Sequence, residues 1–105
     1  MEEYQTLNDK AYKFMTNDGL FVVNFYVEWN FYSKIQKLIL EKFHHLTGNK
    51  AKIYFVNSDK NKSLAEEFRI VSYPSILIFK NGKMVSHLSG LQDNETLIEQ
   101  VNKFL

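Results

Sequence analysis

The sequence predicts an α/β fold, a mixed five-stranded central sheet flanked by four helices, on three observations. Short apolar runs alternate with stretches whose apolar residues recur at helical spacing throughout the 105 residues. One run, residues 20–27, is almost continuously apolar, as expected of a strand covered on both faces. Asn81-Gly82 separates two strand-like segments and is the strongest short hairpin signal in the chain. Strands separated by helices should run parallel through right-handed crossovers, and the closing hairpin must be antiparallel. Helices then cover both faces of the sheet.

Each element has its own warrant. Residues 5–7 are expected to close a short first strand. Asn8 or Asp9 can cap a first helix that places Leu7, Ala11, Phe14 and Met15 on one face. Asn17-Asp18-Gly19 ends that helix, and the apolar run 20–27 follows as the second strand. Residues 31–46 carry Ile35, Leu38, Ile39, Phe43 and Leu46 at helical spacing, and Thr47-Gly48-Asn49 breaks the pattern. Residues 52–57 form the third strand, and a short helix over 61–69 turns Leu64, Ala65 and Phe68 inward. Pro74 precedes a strand at 75–79. Residues 83–88 pair back across the Asn81-Gly82 turn. Asp93 or Asn94 caps a last helix with Leu97, Ile98, Val101 and Leu105 facing the core.

Composition narrows the function classes. The mass of 12.4 kDa, with 45% hydrophobic and 24% charged residues, fits one globular domain over 1–105. A formal charge of +1 gives no electrostatic case for nucleic acid or anionic membrane. Lys50, Lys52, Lys60 and Lys62 read as a solvated surface. No segment approaches the ~20 apolar residues of a membrane span. The acidic start Met1-Glu2-Glu3 lacks the charge pattern of a signal peptide, so a cytoplasmic location is expected. That expectation leaves the sequon Asn94-Glu95-Thr96 without use. His44 and His45 point about 100° apart on a helix, and Glu41 adds no third ligand, so no metal site is expected. His87 stands alone on the last strand, and no Gly-rich loop implies a phosphate cofactor. No cofactor is expected.

Several motifs, in order, carry a family resemblance. Phe25-Tyr26-Val27-Glu28-Trp29 ends an apolar strand. Ser72-Tyr73-Pro74-Ser75 precedes the fourth strand, Phe79-Lys80-Asn81-Gly82 opens the hairpin, and Gly90 comes before the last helix. Asn57 and Asp59 close the third strand. Together these motifs resemble the thioredoxin family along essentially the whole chain. The resemblance implies the thioredoxin fold, a cis bond before Pro74 and descent from protein-disulfide reductases.

At the functional positions the chain departs from that family. The family's Cys-Gly-Pro-Cys-Lys after Glu-Trp reads here Asn30-Phe31-Tyr32-Ser33-Lys34. Asn24 stands at the buried acid, Phe55 at the buried lysine, and Leu38 at the helix-kinking proline. The chain has no cysteine at all. Thiol–disulfide exchange needs a thiolate nucleophile and passes through a mixed disulfide, and neither an amide nor a hydroxyl supplies one. No catalytic residue is therefore expected.

Asn30 suits an N-cap, with Ser33 close enough to share in capping, and Asn24 is expected to hydrogen-bond within the core. The family's substrate surface survives as Trp29, Tyr73, Pro74, Gly90 and Leu91, beside Ser89. Phe31 and Tyr32 add aromatic area to its rim unless they fold back over the old site. Three functional readings follow. The first is redox-free binding of an extended peptide or partner protein. The second is a reductase by descent, and the third a rigid subunit of a larger assembly.

Overall fold

The computed structural model describes residues 2–4 and 18–105. Its strands are β1 (Glu2–Tyr4), β2 (Leu20–Tyr26), β3 (Lys52–Asn57), β4 (Ser75–Lys80) and β5 (Lys83–Ser89). Its helices are α1 (Phe31–Thr47), α2 (Lys62–Glu67) and α3 (Asn94–Asn102), with a 3-10 turn at Gly48–Lys50. The strand order is β1-β3-β2-β4-β5. β1 and β2 flank β3 in parallel, while β4 runs antiparallel to both β2 and β5.

Side-chain alternation along β2 divides the core between the two faces of the sheet. Leu20 and Val22 join Leu40 and Phe43 of α1 and Leu97 and Val101 of α3 in one cluster. Phe21, Val23 and Phe25 join Tyr54, Val56, Leu77, Phe79 and Ala65 of α2 in the other. Each such side chain contributes about 1.5–3 kcal/mol by leaving water. A strand buried on both faces must read as a nearly unbroken apolar run, and β2 does. Its one polar member, Asn24, lies between Phe55 and Ile76 in the pairing register.

The sheet has five strands, as expected, but the described residues hold three α-helices against the four expected. Among the described residues, four strands of six or seven residues make up the body of the sheet. The three-residue β1 only extends one edge, and there are three α-helices. β1 spans Glu2–Tyr4, and residues 5–7, expected to close the first strand, lie outside the described residues. The helix expected from Asn8 or Asp9 onward lies outside the described residues.

Side-chain placement corrects the expected helix faces. Leu38 and Leu46 are exposed, and the buried stripe of α1 is Ser33, Gln36, Leu40 and Phe43. The helix carries two apolar stripes, and only the one that meets the sheet is buried. Leu105 is likewise exposed, and Phe104 packs against the core in its place.

The connections follow local chemistry. Asn81 and Gly82 have φ of 49° and 82°, the double left-handed geometry of a two-residue hairpin turn. Asn81 also clasps the start of β2. Its N–H donates to the Gly19 carbonyl at 2.9 Å, and its Oδ1 accepts the Gly19 N–H at 2.8 Å.

Asp93 caps α3 by accepting the Thr96 N–H at 2.8 Å. Backbone and side-chain hydrogen bonds from Thr96 hold the Asp93 carboxyl below its ordinary pKa. A lowered folded-state pKa means that the cap's contribution is complete above the ordinary carboxylate value. It is lost as pH falls through the lowered one. An NMR titration of the Thr96 amide should therefore show a transition displaced to the acid side of a free aspartate. The sequon at Asn94 falls in the first turn of this helix. Among the described residues no helix is long and apolar enough to cross a membrane.

Candidate functional site

The site forms where β2 leaves the sheet and α1 begins. The chain turns over Glu28 and Trp29, with the Asn30 N–H donating to the Val27 carbonyl at 3.3 Å. Asn30 then caps α1 as expected, its Oδ1 accepting the Ser33 N–H at 2.9 Å. A cap of this kind is worth about 1 kcal/mol.

Ser33 does not share in that cap. It is 3% exposed, and its Oγ accepts the Val27 N–H at 3.4 Å, pinning the first turn of the helix to the end of β2. The two residues at the family's thiol positions are thus both engaged in holding the backbone.

Asn24 departs from the sequence expectation. It is fully buried, yet neither its Nδ2 nor its Oδ1 has a hydrogen-bond partner. A buried amide left unpaired is costly, and no partner offsets that cost here. Phe55, at the family's lysine position, is buried, with Lys37 Nζ of α1 standing 5.8 Å from its ring centroid. A cation thus approaches the position from the helix instead of from the strand. Phe55 and Lys37 line, with Tyr26, Val27 and Ser33, a cleft of about 180 Å³ beside the helix start.

Above this floor the rim is apolar and open. Trp29 is 72% exposed, Phe31 68% and Tyr32 56%. The Phe31 and Tyr32 rings stand edge-to-face with centroids 5.9 Å apart. They project outward and do not fold back over the old site. Tyr73 is half-buried and packs against the core cluster on the α2 face, so it contributes less rim than the sequence suggests. Val71, two residues earlier, is 89% exposed, and the sequence reading missed it.

The Tyr73–Pro74 bond is cis, and the Pro74 carbonyl accepts the Gly90 N–H at 2.8 Å. Gly90 has φ of 83°, a conformation that a glycine adopts without steric cost. Leu91 beside it is exposed.

Two residues absent from the sequence reading tie these pieces together. The Gln36 side chain donates Nε2–H to the Gln92 carbonyl at 3.0 Å and accepts the Gln92 N–H on Oε1 at 2.7 Å. The only sequence signal is that Gln36 lies on the same helical stripe as Leu40 and Phe43. Among the described residues no group of three or more His, Asp or Glu side chains could hold a metal ion. His44 and His45 are neighbours with ring centroids 6.3 Å apart.

The chemistry open to this site is limited. With no cysteine in the chain, dithiol exchange has no nucleophile. The exposed groups at the start of α1 are the aromatic side chains of Trp29, Phe31 and Tyr32.

Comparison with known proteins agrees with the architecture. The Thioredoxin family profile matches residues 3–103. Thioredoxin of Bacillus subtilis (strain 168) is 30% identical over 97 residues, which cover 92% of this chain and 93% of that protein. The solved structure of thioredoxin-2, described as a component of malaria parasite protein secretion machinery, is 27% identical with a TM-score of 0.79. It covers 82% of this chain and 84% of its own. The X-ray structure of Fasciola hepatica thioredoxin superposes over 100% of both chains with a TM-score of 0.87 at 19% identity, a likeness of fold alone. A cis-proline loop, an Asn-Gly hairpin and a Glu-Trp turn thus occur on the matching sheet and in a matching sequence, and the chain belongs to the thioredoxin family.

Proposed function

We propose that this chain is a redox-inactive thioredoxin-like protein, a single domain that binds an extended peptide segment or partner protein through the family's groove. The observation that carries the reading is the outward aromatic set of Trp29, Phe31 and Tyr32 at a site without sulfur. Large exposed apolar groups cost solubility and tend to gather at interfaces. Aromatic anchors supply most of the affinity of such surfaces. The backbone leading into Pro74 lies at the head of β4, where an extended ligand could pair with it. Neither nucleic acid nor a membrane fits a chain of charge +1. Absence of cysteine suits the reducing cytoplasm. Family descent carries the fold here without its thiol chemistry.

The test is affinity capture compared across three proteins: the wild type, Trp29→Ala and Met84→Ala. Met84 is exposed on β5 and serves as the distant control. Proteins held by the wild type should be retained by Met84→Ala and depleted about tenfold by Trp29→Ala, as for an interface hot spot. Equal retention by all three would remove the groove from consideration.

A second reading, a rigid subunit of a larger assembly, is favoured by one feature. Leu38 and Leu46 leave an apolar stripe exposed on α1. The related thioredoxin-2 is described as a component of a secretion machinery. In that case Trp29→Ala would leave capture intact and Leu38→Ala would abolish it.

A further inference from the structure

Gln36 is a fully buried amide on the inward helix seam, beside Leu40 and Phe43, and such a group is retained only where it is satisfied. It is satisfied by one residue. Its donor and its acceptor both engage the backbone of Gln92, at 3.0 and 2.7 Å, a pairing like one rung of an antiparallel ladder. Gln92 continues the connection. Its own Nε2 reaches the carbonyls of Ser89 at 3.1 Å and Gly90 at 3.2 Å. The Gly90 N–H in turn donates to the Pro74 carbonyl at 2.8 Å. These bonds run in series from α1 through the segment before α3 to the cis-proline loop.

We infer that Gln36 is the positioning residue of the groove: its amide fixes the lip formed by Gly90 and Leu91 in place before any partner arrives. The inference rests on the binding function proposed above. The lip has no regular secondary structure between the end of β5 and the start of α3, so these bonds stand in for a ladder. Chained hydrogen bonds in a low-dielectric site reinforce one another. A lip already ordered loses little further freedom on docking, which is the advantage of pre-organisation. Gln36→Leu leaves the Gln92 N–H and C=O without their partner. The segment must then swing toward water to satisfy them, while the sheet and both core clusters stay as they are.

Amide hydrogen exchange on the intact 105-residue chain tests the lock without any ligand. Gln36→Leu should accelerate exchange at Gln92 by at least about tenfold, with β2 and β4 amides unchanged. Gln92→Ala keeps the backbone pairing and removes the side-chain bonds. It should accelerate Gly90 and spare the amide at position 92, and it supplies the test should Gln36→Leu fail to fold. Unchanged exchange across residues 89–92 in either variant would overturn the inference. So would acceleration spread equally over β2 and β4, which would mark a general loss of stability. The capture experiment then separates the lock from the function. If Trp29→Ala loses its partners and Gln36→Leu keeps them, the positioning role is overturned. If Trp29→Ala keeps them, the binding reading has failed, and the exchange result alone decides whether the lip is locked.

Discussion

Asn30→Cys combined with Ser33→Cys is expected to give this cysteine-free chain disulfide-reductase activity. Position 30 sits at the N-cap of α1, half-buried, where the helix N-terminus lowers a thiol pKa and favours the attacking thiolate. Position 33 lies one turn in, buried against the end of β2, where a second thiol can resolve the mixed disulfide. The Asn30 cap and the bond from the Val27 N–H to the Ser33 hydroxyl would be lost, the cap at a cost of about 1 kcal/mol, which a folded domain tolerates. The regained rate should stay below that of ordinary thioredoxins. Asn24 cannot accept a proton as the family's buried acid does, and Phe55 offers no charge beside it. Dithiothreitol-driven insulin reduction measures the gain, expected to be at least about tenfold over the uncatalysed rate once a low-pKa thiolate is present. A folded double variant with no activity would show that Phe31, Tyr32, Asn24 or Phe55 blocks the chemistry independently of sulfur.

Asn24→Leu is expected to stabilise the protein by about 1–3 kcal/mol, the usual cost of leaving buried polar groups unpaired. Leucine matches asparagine in branching at Cγ and carries no polar atom. Its neighbours across the sheet, Phe55 and Ile76, are both apolar. The increase should appear as a higher urea midpoint at an unchanged slope, since the surface exposed on unfolding is the same. A lower midpoint would mean that the amide is hydrogen-bonded in solution, through an ordered water bridging it to the backbone.

Legibility in the sequence followed the range of the interaction. The Asn30 cap, the cap at Asp93 or Asn94 and the Asn81-Gly82 turn each close over a few residues, and the local sequence pointed to them. The buried strand β2 announced itself because burial on both faces leaves no room for alternation. The inward face of α1 did not. Phe31, Ile35, Leu38 and Leu46 form one apolar stripe and Leu40 with Phe43 another, and periodicity cannot say which meets the sheet. Asn24 was expected to find a partner, because nothing local shows that its cross-strand neighbours are apolar. The Gln36–Gln92 pairing spans 56 residues and exists only once the helix and the lip are brought together. Whether Phe31 and Tyr32 shield the old site or face outward was equally a matter of tertiary placement, and the structure turns both outward.

Insulin reduction by the unmodified protein, of verified mass and free of contaminating thioredoxin, tests the central claim most directly. Turbidity should develop at the rate set by dithiothreitol alone, at every protein concentration. A rate that rises in proportion to added protein would contradict the account, because electrons would then be reaching disulfides through a chain that has no sulfhydryl to carry them.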